Sequence, residues 1–333
     1  MVWCECDNWR PDAPTESGYR ANQLVAVGRQ YVIVLLGVVG FEALLVSRFA
    51  IGFFLAGVYP VGMKIAAGWY QQGLGSALGF LVGALITATG LPHLVRALGT
   101  GWSWAYVLST LSIIAVFGGL LLYALVPDGP YLTKSSRLSF RALSVVWRDK
   151  QVRASAFGYF GHMWELYAML AITPVIIGTY LNSSLSPAVS LLSFFVIAGG
   201  GLACVVGGLL SKSIGSARVA VGMLAVSGLC CLLAPLMLQA PWWLFFAWLL
   251  VWGFSISGDS PQFSALTATN CPREVVGSVL TLVNCIGFAI SAITIQATSL
   301  LSVHFGLSVV LPFLVLGPIA GLIAMRPLLK TAQ

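Results

Sequence analysis

Charged side chains are scarce in this chain: ten acidic and 17 basic residues among 333, or 8%. A soluble globular domain carries about 25%, so an ordinary water-facing surface is excluded. Also missing are the motifs of nucleotide and hydrolytic chemistry. There is no phosphate-cradling Gly-rich loop ending in Lys-Ser/Thr, no His-Glu-x-x-His zinc site and no Gly-x-Ser-x-Gly nucleophile turn. Neither an enzyme nor an ATP-driven pump is expected. Histidine is rare, and the seven cysteines show no metal-ligand spacing. Cys4-Glu5-Cys6 has no second ligand pair nearby, so no metal, cofactor or disulfide framework is expected. The net charge of +7 would suit nucleic acid only if the basic residues shared one face. They lie instead between apolar runs, where orientation signals belong, and no nucleic-acid partner is expected.

What is present is oil. Hydrophobic residues make up 59% of the chain and the mean hydropathy is +0.94, the composition of an all-α integral membrane protein whose partner is the bilayer. Residues 1–23 are polar, with Pro11 and Pro14 and no apolar centre, and so read as a cytoplasmic tail rather than a signal peptide. Apolar spans are predicted near 24–41, 44–68, 75–97 and 103–126. A basic linker follows over 127–153, carrying Lys134, Arg137, Arg141, Arg148, Lys150 and Arg153. Six further spans are predicted near 154–180, 187–210, 218–239, 242–268, 276–301 and 306–326, before a tail over 327–333. If the linker is cytoplasmic, Lys212, Arg218, Arg273, Arg326 and Lys330 fall on the same side, and the opposite loops are nearly uncharged. The positive-inside rule then places both termini in the cytoplasm.

The chain also repeats itself. Gly52, Gly57 and Pro60 match Gly253, Gly258 and Pro261 at an offset of 201, and Gly75-Ser76-Ala77-Leu78 matches Gly277-Ser278-Val279-Leu280 at 202. Two copies of one helix pair in the same order suggest a carrier made of parallel halves. By this offset the first half is about two helices short, so ten spans stand where the complete pattern would have twelve.

These features resemble the major facilitator superfamily of secondary transporters over residues 24–326. Arg48-Phe49-Ala50-Ile51-Gly52-Phe53-Phe54-Leu55-Ala56-Gly57 is similar to its fourth-helix motif. Gly208-Leu209-Leu210-Ser211-Lys212-Ser213-Ile214-Gly215 keeps the glycine frame of its eighth-to-ninth-helix loop, although Lys212 and Ser213 replace the usual acidic and basic pair. Gly161-His162-Met163-Trp164-Glu165-Leu166-Tyr167 and Asp259-Ser260-Pro261-Gln262-Phe263-Ser264 are similar to signatures of a bacterial branch. Some relatives of that kind carry small anions such as nitrate or cyanate, though the glycine-rich signatures of nitrate carriers are not evident. The resemblance implies a monomeric multi-pass carrier in a bacterial inner membrane that moves a small solute or ion by alternating access. Proton coupling and an anionic substrate are open readings. The alternative is a shortened membrane remnant or binding protein that does not transport.

A carboxylate at the bilayer centre costs about 2.5–3.5 kcal/mol on insertion scales, so Glu165 and Asp259 should face protein or water rather than lipid. His162 lies three residues before Glu165 on the same helical side, a pair suited to proton exchange or to fastening one helix to another. Asp259, Ser255 and Gln262 form a polar stripe at helical spacing; the stripe either lines a cavity or is held by serines and by Asn284 on the next span. Arg48 either meets an anionic group or snorkels to the surface. Pro60 and Pro261 should bend their helices, with Gly52, Gly57, Gly208, Gly215, Gly253 and Gly258 allowing close packing or gating.

Overall fold

A computed structural model of the chain describes residues 45, 46, 49, 52, 62, 69, 70, 74–99, 101–102, 104–127, 130, 141–183, 186–272 and 275–330. The spans expected near 24–41 and 44–68 fall almost wholly outside these residues, as do Arg48, Gly57 and Pro60. Gly52 is helical and exposed.

Eleven helices and no strand occur among the described residues: α1 Leu74–Leu98, α2 Trp104–Leu125, α3 Arg141–Arg148, α4 Lys150–Tyr180, α5 Pro187–Ile214, α6 Ser216–Met237, α7 Trp242–Gly258, α8 Ser260–Asn270, α9 Val276–Phe305, α10 Leu307–Phe313 and α11 Leu316–Lys330. Among the described residues, seven stretches are long and apolar enough to cross a membrane. The α7–α8 pair, with its break at Asp259, fills the place of the span expected over 242–268. The 202-residue offset pairs Gly75–Leu78 with Gly277–Leu280, and both stretches are helical, in α1 and α9. Large apolar side chains such as Phe195, Leu202, Leu229 and Val303 are exposed, as suits residues that meet lipid.

The helices fall into two compact units, residues 1–72 with 91–137, and residues 73–90 with 138–333. In the first, Thr110 and Ser112 of α2 return their hydroxyls to carbonyls of their own helix, and Trp69 Nε1 donates to the Pro127 carbonyl.

The second unit is organised around α4. Its start is fixed by Asp149, whose Oδ1 accepts from the Gln151 and Val152 amides at 2.8 and 2.9 Å, a carboxylate N-cap. Small residues then let neighbours in. Gly161 lies against Gly317 and Gly321 of α11 so closely that a Cβ would strike the Gly317 carbonyl. Gly287 of α9 leaves room for Tyr159, and Ser291 Oγ donates to the Met163 carbonyl at 2.7 Å. On the next seam, Gly253 of α7 meets the Val196 carbonyl of α5, and Gly79 and Gly83 of α1 meet the carbonyls of Cys204 and Gly201. Between membrane helices, backbone approach of this kind supplies the packing energy that the hydrophobic effect does not. Gly215 and Gly306 have φ of +86° and +75°. They form the tight turns α5–α6 and α9–α10 in a backbone region that favours glycine.

Pro261 does not bend the middle of a continuous helix as expected. It lies in the first turn of α8, where its missing N–H would be unpaired anyway. The break falls two residues earlier, at Asp259. With no proline amide to bond it, the Ser257 carbonyl accepts from Cys204 Sγ of α5 at 3.0 Å.

Candidate functional site

The two acidic side chains sunk in the apolar helices have opposite surroundings. Glu165 is fully buried and well partnered. Its Oε1 accepts from Trp252 Nε1 of α7 at 2.6 Å and from Cys231 Sγ of α6 at 3.2 Å. Ser227 Oγ of α6 lies 3.0 Å from Oε2. Three donors from two other helices answer one carboxyl, an arrangement that rigidifies a buried polar group.

Asp259 is equally buried, at 0% exposure, with no such shell. Its Oδ1 is 2.9 Å from His162 Nδ1, an ion-pair distance, and beyond His162 its neighbouring donors are the backbone N–H groups of Asp259 and Ser260 rather than side chains. No hydrogen-bond partner meets His162 Nε2, the Ser257 hydroxyl, either end of the Gln262 amide or the Asn284 amide nitrogen. Native interiors leave few buried polar atoms in this condition, and ionisable side chains within membrane spans are rare. The walls are aromatic. The His162 ring lies 5.5 Å from Phe263 and 5.9 Å from Tyr159, centre to centre.

The expected grouping is corrected at two points. His162 does not pair with Glu165; it turns to Asp259, while Glu165 turns to α6 and α7. Three residues along a helix leave side chains roughly 60° apart around its axis, enough for the two to meet different neighbours. The stripe through Ser255 is also broken, because Ser255 Oγ returns to the Trp252 carbonyl of its own helix. No serine hydroxyl and no Asn284 amide holds the Asp259 carboxylate. Of the glycines, Gly208 packs on Gly75 and Gly79, and Gly258 meets Ala203 and Met223.

Trp252, Ser227, Cys231 and Cys204 are not among the residues expected from sequence. A signal exists for Trp252. Tryptophan in membrane helices belongs at the interfaces, as exposed Trp242 and Trp243 do here. Trp248 and Trp252 lie deep in the same run, where each indole N–H needs an acceptor. Trp248 finds the Cys230 carbonyl at 3.1 Å.

A bundle of membrane helices, packed through glycines and holding a titratable pair at a helix break, defines a membrane-embedded carrier of small solutes. The chain belongs to the Major Facilitator Superfamily, whose family model matches residues 22–295; it is a multi-pass secondary transporter and not an enzyme. No curated protein matches it by sequence. The fold is similar to that of the human organic anion transporter MFSD10 (TETRAN), with 16% identity, a TM-score of 0.72, and 93% of this chain and 77% of that one covered. It is also similar to a variant of the E. coli fucose:proton symporter FucP, at 13% identity and a TM-score of 0.62, covering 92% and 83%. A bacterial homolog of the human lysosomal transporter Spinster, captured inward-facing and unoccupied, matches at 15% identity and a TM-score of 0.61, covering 94% and 85%. At these identities the likeness is one of fold.

Proposed function

We propose that the chain moves a small solute by alternating access, coupled to protons through the His162–Asp259 pair. One observation carries the reading: an imidazole and a carboxylate, both fully buried in the apolar helices, face each other at 2.9 Å. Taking two such groups out of water costs several kcal/mol per ion unless good geometry repays it. A pair kept at that cost is explained by what it exchanges. The carboxylate and imidazole can share, gain or lose a proton as the site opens to one side and then the other. Glu165, with its donors in place, is a positioning group that holds α4 against α6 and α7.

In this reading residues 24–126 and 154–326 are the two moving bundles and 127–153 the cytoplasmic linker. The protein works as a monomer in a bacterial inner membrane. The test uses the full chain in vesicles loaded with a pH-sensitive dye, with an imposed pH gradient and a panel of small solutes. Wild-type protein should give solute-dependent proton movement, and His162→Gln and Asp259→Asn should lose it. Full gradient-driven uptake by Asp259→Asn would overturn the proposal. Loss confined to Glu165→Gln would move the coupling site to Glu165.

A further inference from the structure

We infer that the basic end of α4, where α3 folds against it, binds an anionic phospholipid. The headgroup rests on Arg148, Lys150 and Arg153, and an acyl chain runs along Trp147, Phe157 and Phe160. This surface lies apart from the buried pair, and the inference does not depend on how transport is coupled.

The cations come from the local fold. Asp149 separates α3 from α4 with extended backbone, φ −75° and ψ 125°, and α3 packs on α4 and α9. Arg148 and Lys150 flank that turn, and both are exposed. The carboxylate between them is turned elsewhere: its Oδ1 accepts from the Gln151 and Val152 amides at the start of α4. Arg153 lies one turn further along, yet its Nη1 reaches back to donate to the Trp147 carbonyl at 2.7 Å. A long basic side chain that snorkels in this way carries its charge toward the polar layer. Three cations therefore gather around the α3–α4 turn.

Beyond them the surface becomes aromatic. Arg153, Phe157 and Phe160 follow one another at helical spacing on one side of α4. The Trp147 ring is 50% exposed and meets Phe157 edge-on, 5.5 Å between centres; Phe160 lies 5.5 Å beyond. Phe157 and Phe160 are themselves partly exposed. From Lys150 to Phe160 the helix rises about 15 Å, half of a hydrocarbon core about 30 Å thick. That is the depth of one leaflet, and Trp147 falls where indoles sit between chain and headgroup. A soluble anion would use the cations and leave this strip uncovered, so the strip favours a lipid. The cations choose which lipid. Each Lys or Arg near the surface favours a net negative headgroup by about fivefold, whereas a zwitterionic headgroup cancels its own phosphate.

The test uses the purified full chain in a neutral detergent. It is titrated with phosphatidylglycerol or phosphatidylcholine brominated on the acyl chains, which quench tryptophan on contact. The part of the quenching that is absent from Trp147→Phe reports this site. It should appear at about tenfold or more lower concentration of phosphatidylglycerol than of phosphatidylcholine, and should weaken as salt is raised. Arg148→Gln and Lys150→Gln should each move it about fivefold to higher lipid. Lys212→Gln, an exposed cation near the end of α5, should leave it in place. Where Arg148→Gln does not yield monodisperse protein, Lys150→Gln serves alone. Glycerol phosphate and a polyglutamate peptide are run beside the lipids. Displacement of the lipid by an equal concentration of glycerol phosphate would mean a site for free phosphate. Peptide binding that is lost in Lys150→Gln, with no quenching of Trp147 by either lipid, would mean an acidic protein partner. Either result overturns the inference. Equal quenching by the two lipids, unchanged quenching in Trp147→Phe, or indifference to Arg148 and Lys150 also overturns it.

Discussion

Partners, rather than burial, separate the two carboxyl groups. Glu165 and Asp259 are both fully buried, yet three side-chain donors from neighbouring helices surround Glu165 alone. The bond from Trp252 Nε1 to Glu165 is the short member of its shell, at 2.6 Å. Trp248 offers an internal comparison, since its indole donates to a neutral carbonyl at 3.1 Å. Trp252→Phe should therefore destabilise the protein by about 1.5–3 kcal/mol and Trp248→Phe by about 0.5–1.5 kcal/mol, the ranges for bonds to charged and neutral acceptors. Denaturant titration of the two purified variants checks this. An equal effect would mean that the Glu165 shell adds nothing beyond ring packing.

Among the elements, the α7–α8 break is the feature with consequences. Pro261→Ala would supply an amide able to reach the Ser257 carbonyl, in competition with the Cys204 thiol. The expected outcome is a higher Tm with slower transport, because a continuous helix is more stable and less able to bend. The glycine contacts give a second test. Gly161→Val would drive side-chain atoms into the Gly317 backbone of α11, whereas a Cβ added at Gly199 on α5 would have nothing within 4 Å. Gly161→Val should abolish monodisperse protein in size-exclusion chromatography and Gly199→Val should leave the elution profile unchanged.

For the molecule as a whole, orientation in the membrane is the quantity to measure, and exposed Lys212 and Trp243 lie at opposite ends of the helices that carry them. With the basic side in the cytoplasm, a membrane-impermeant maleimide applied to intact cells should label Trp243→Cys and spare Lys212→Cys. The reverse pattern would invert the topology.

Hydropathy and charge were enough to reveal a helical membrane protein, the order of its spans from Leu74 onward and the acidic residues that cannot face lipid. Each of these depends on transfer energies and periodicity, which act along the chain. The repeated stretches Gly75–Leu78 and Gly277–Leu280 are both helical for the same reason. Sequence spacing could not pair His162 with Asp259 or surround Glu165 with Trp252, Cys231 and Ser227. Nor could it bring the Cys204 thiol to the Ser257 carbonyl, which Pro261 has no amide to bond. Those partners are separated by between 53 and 97 positions, and which of them meet is decided by how glycine-lined helices rotate and slide into contact. A few tens of degrees about the α4 axis send two neighbouring ionisable groups to different helices, and only packing in three dimensions selects that angle.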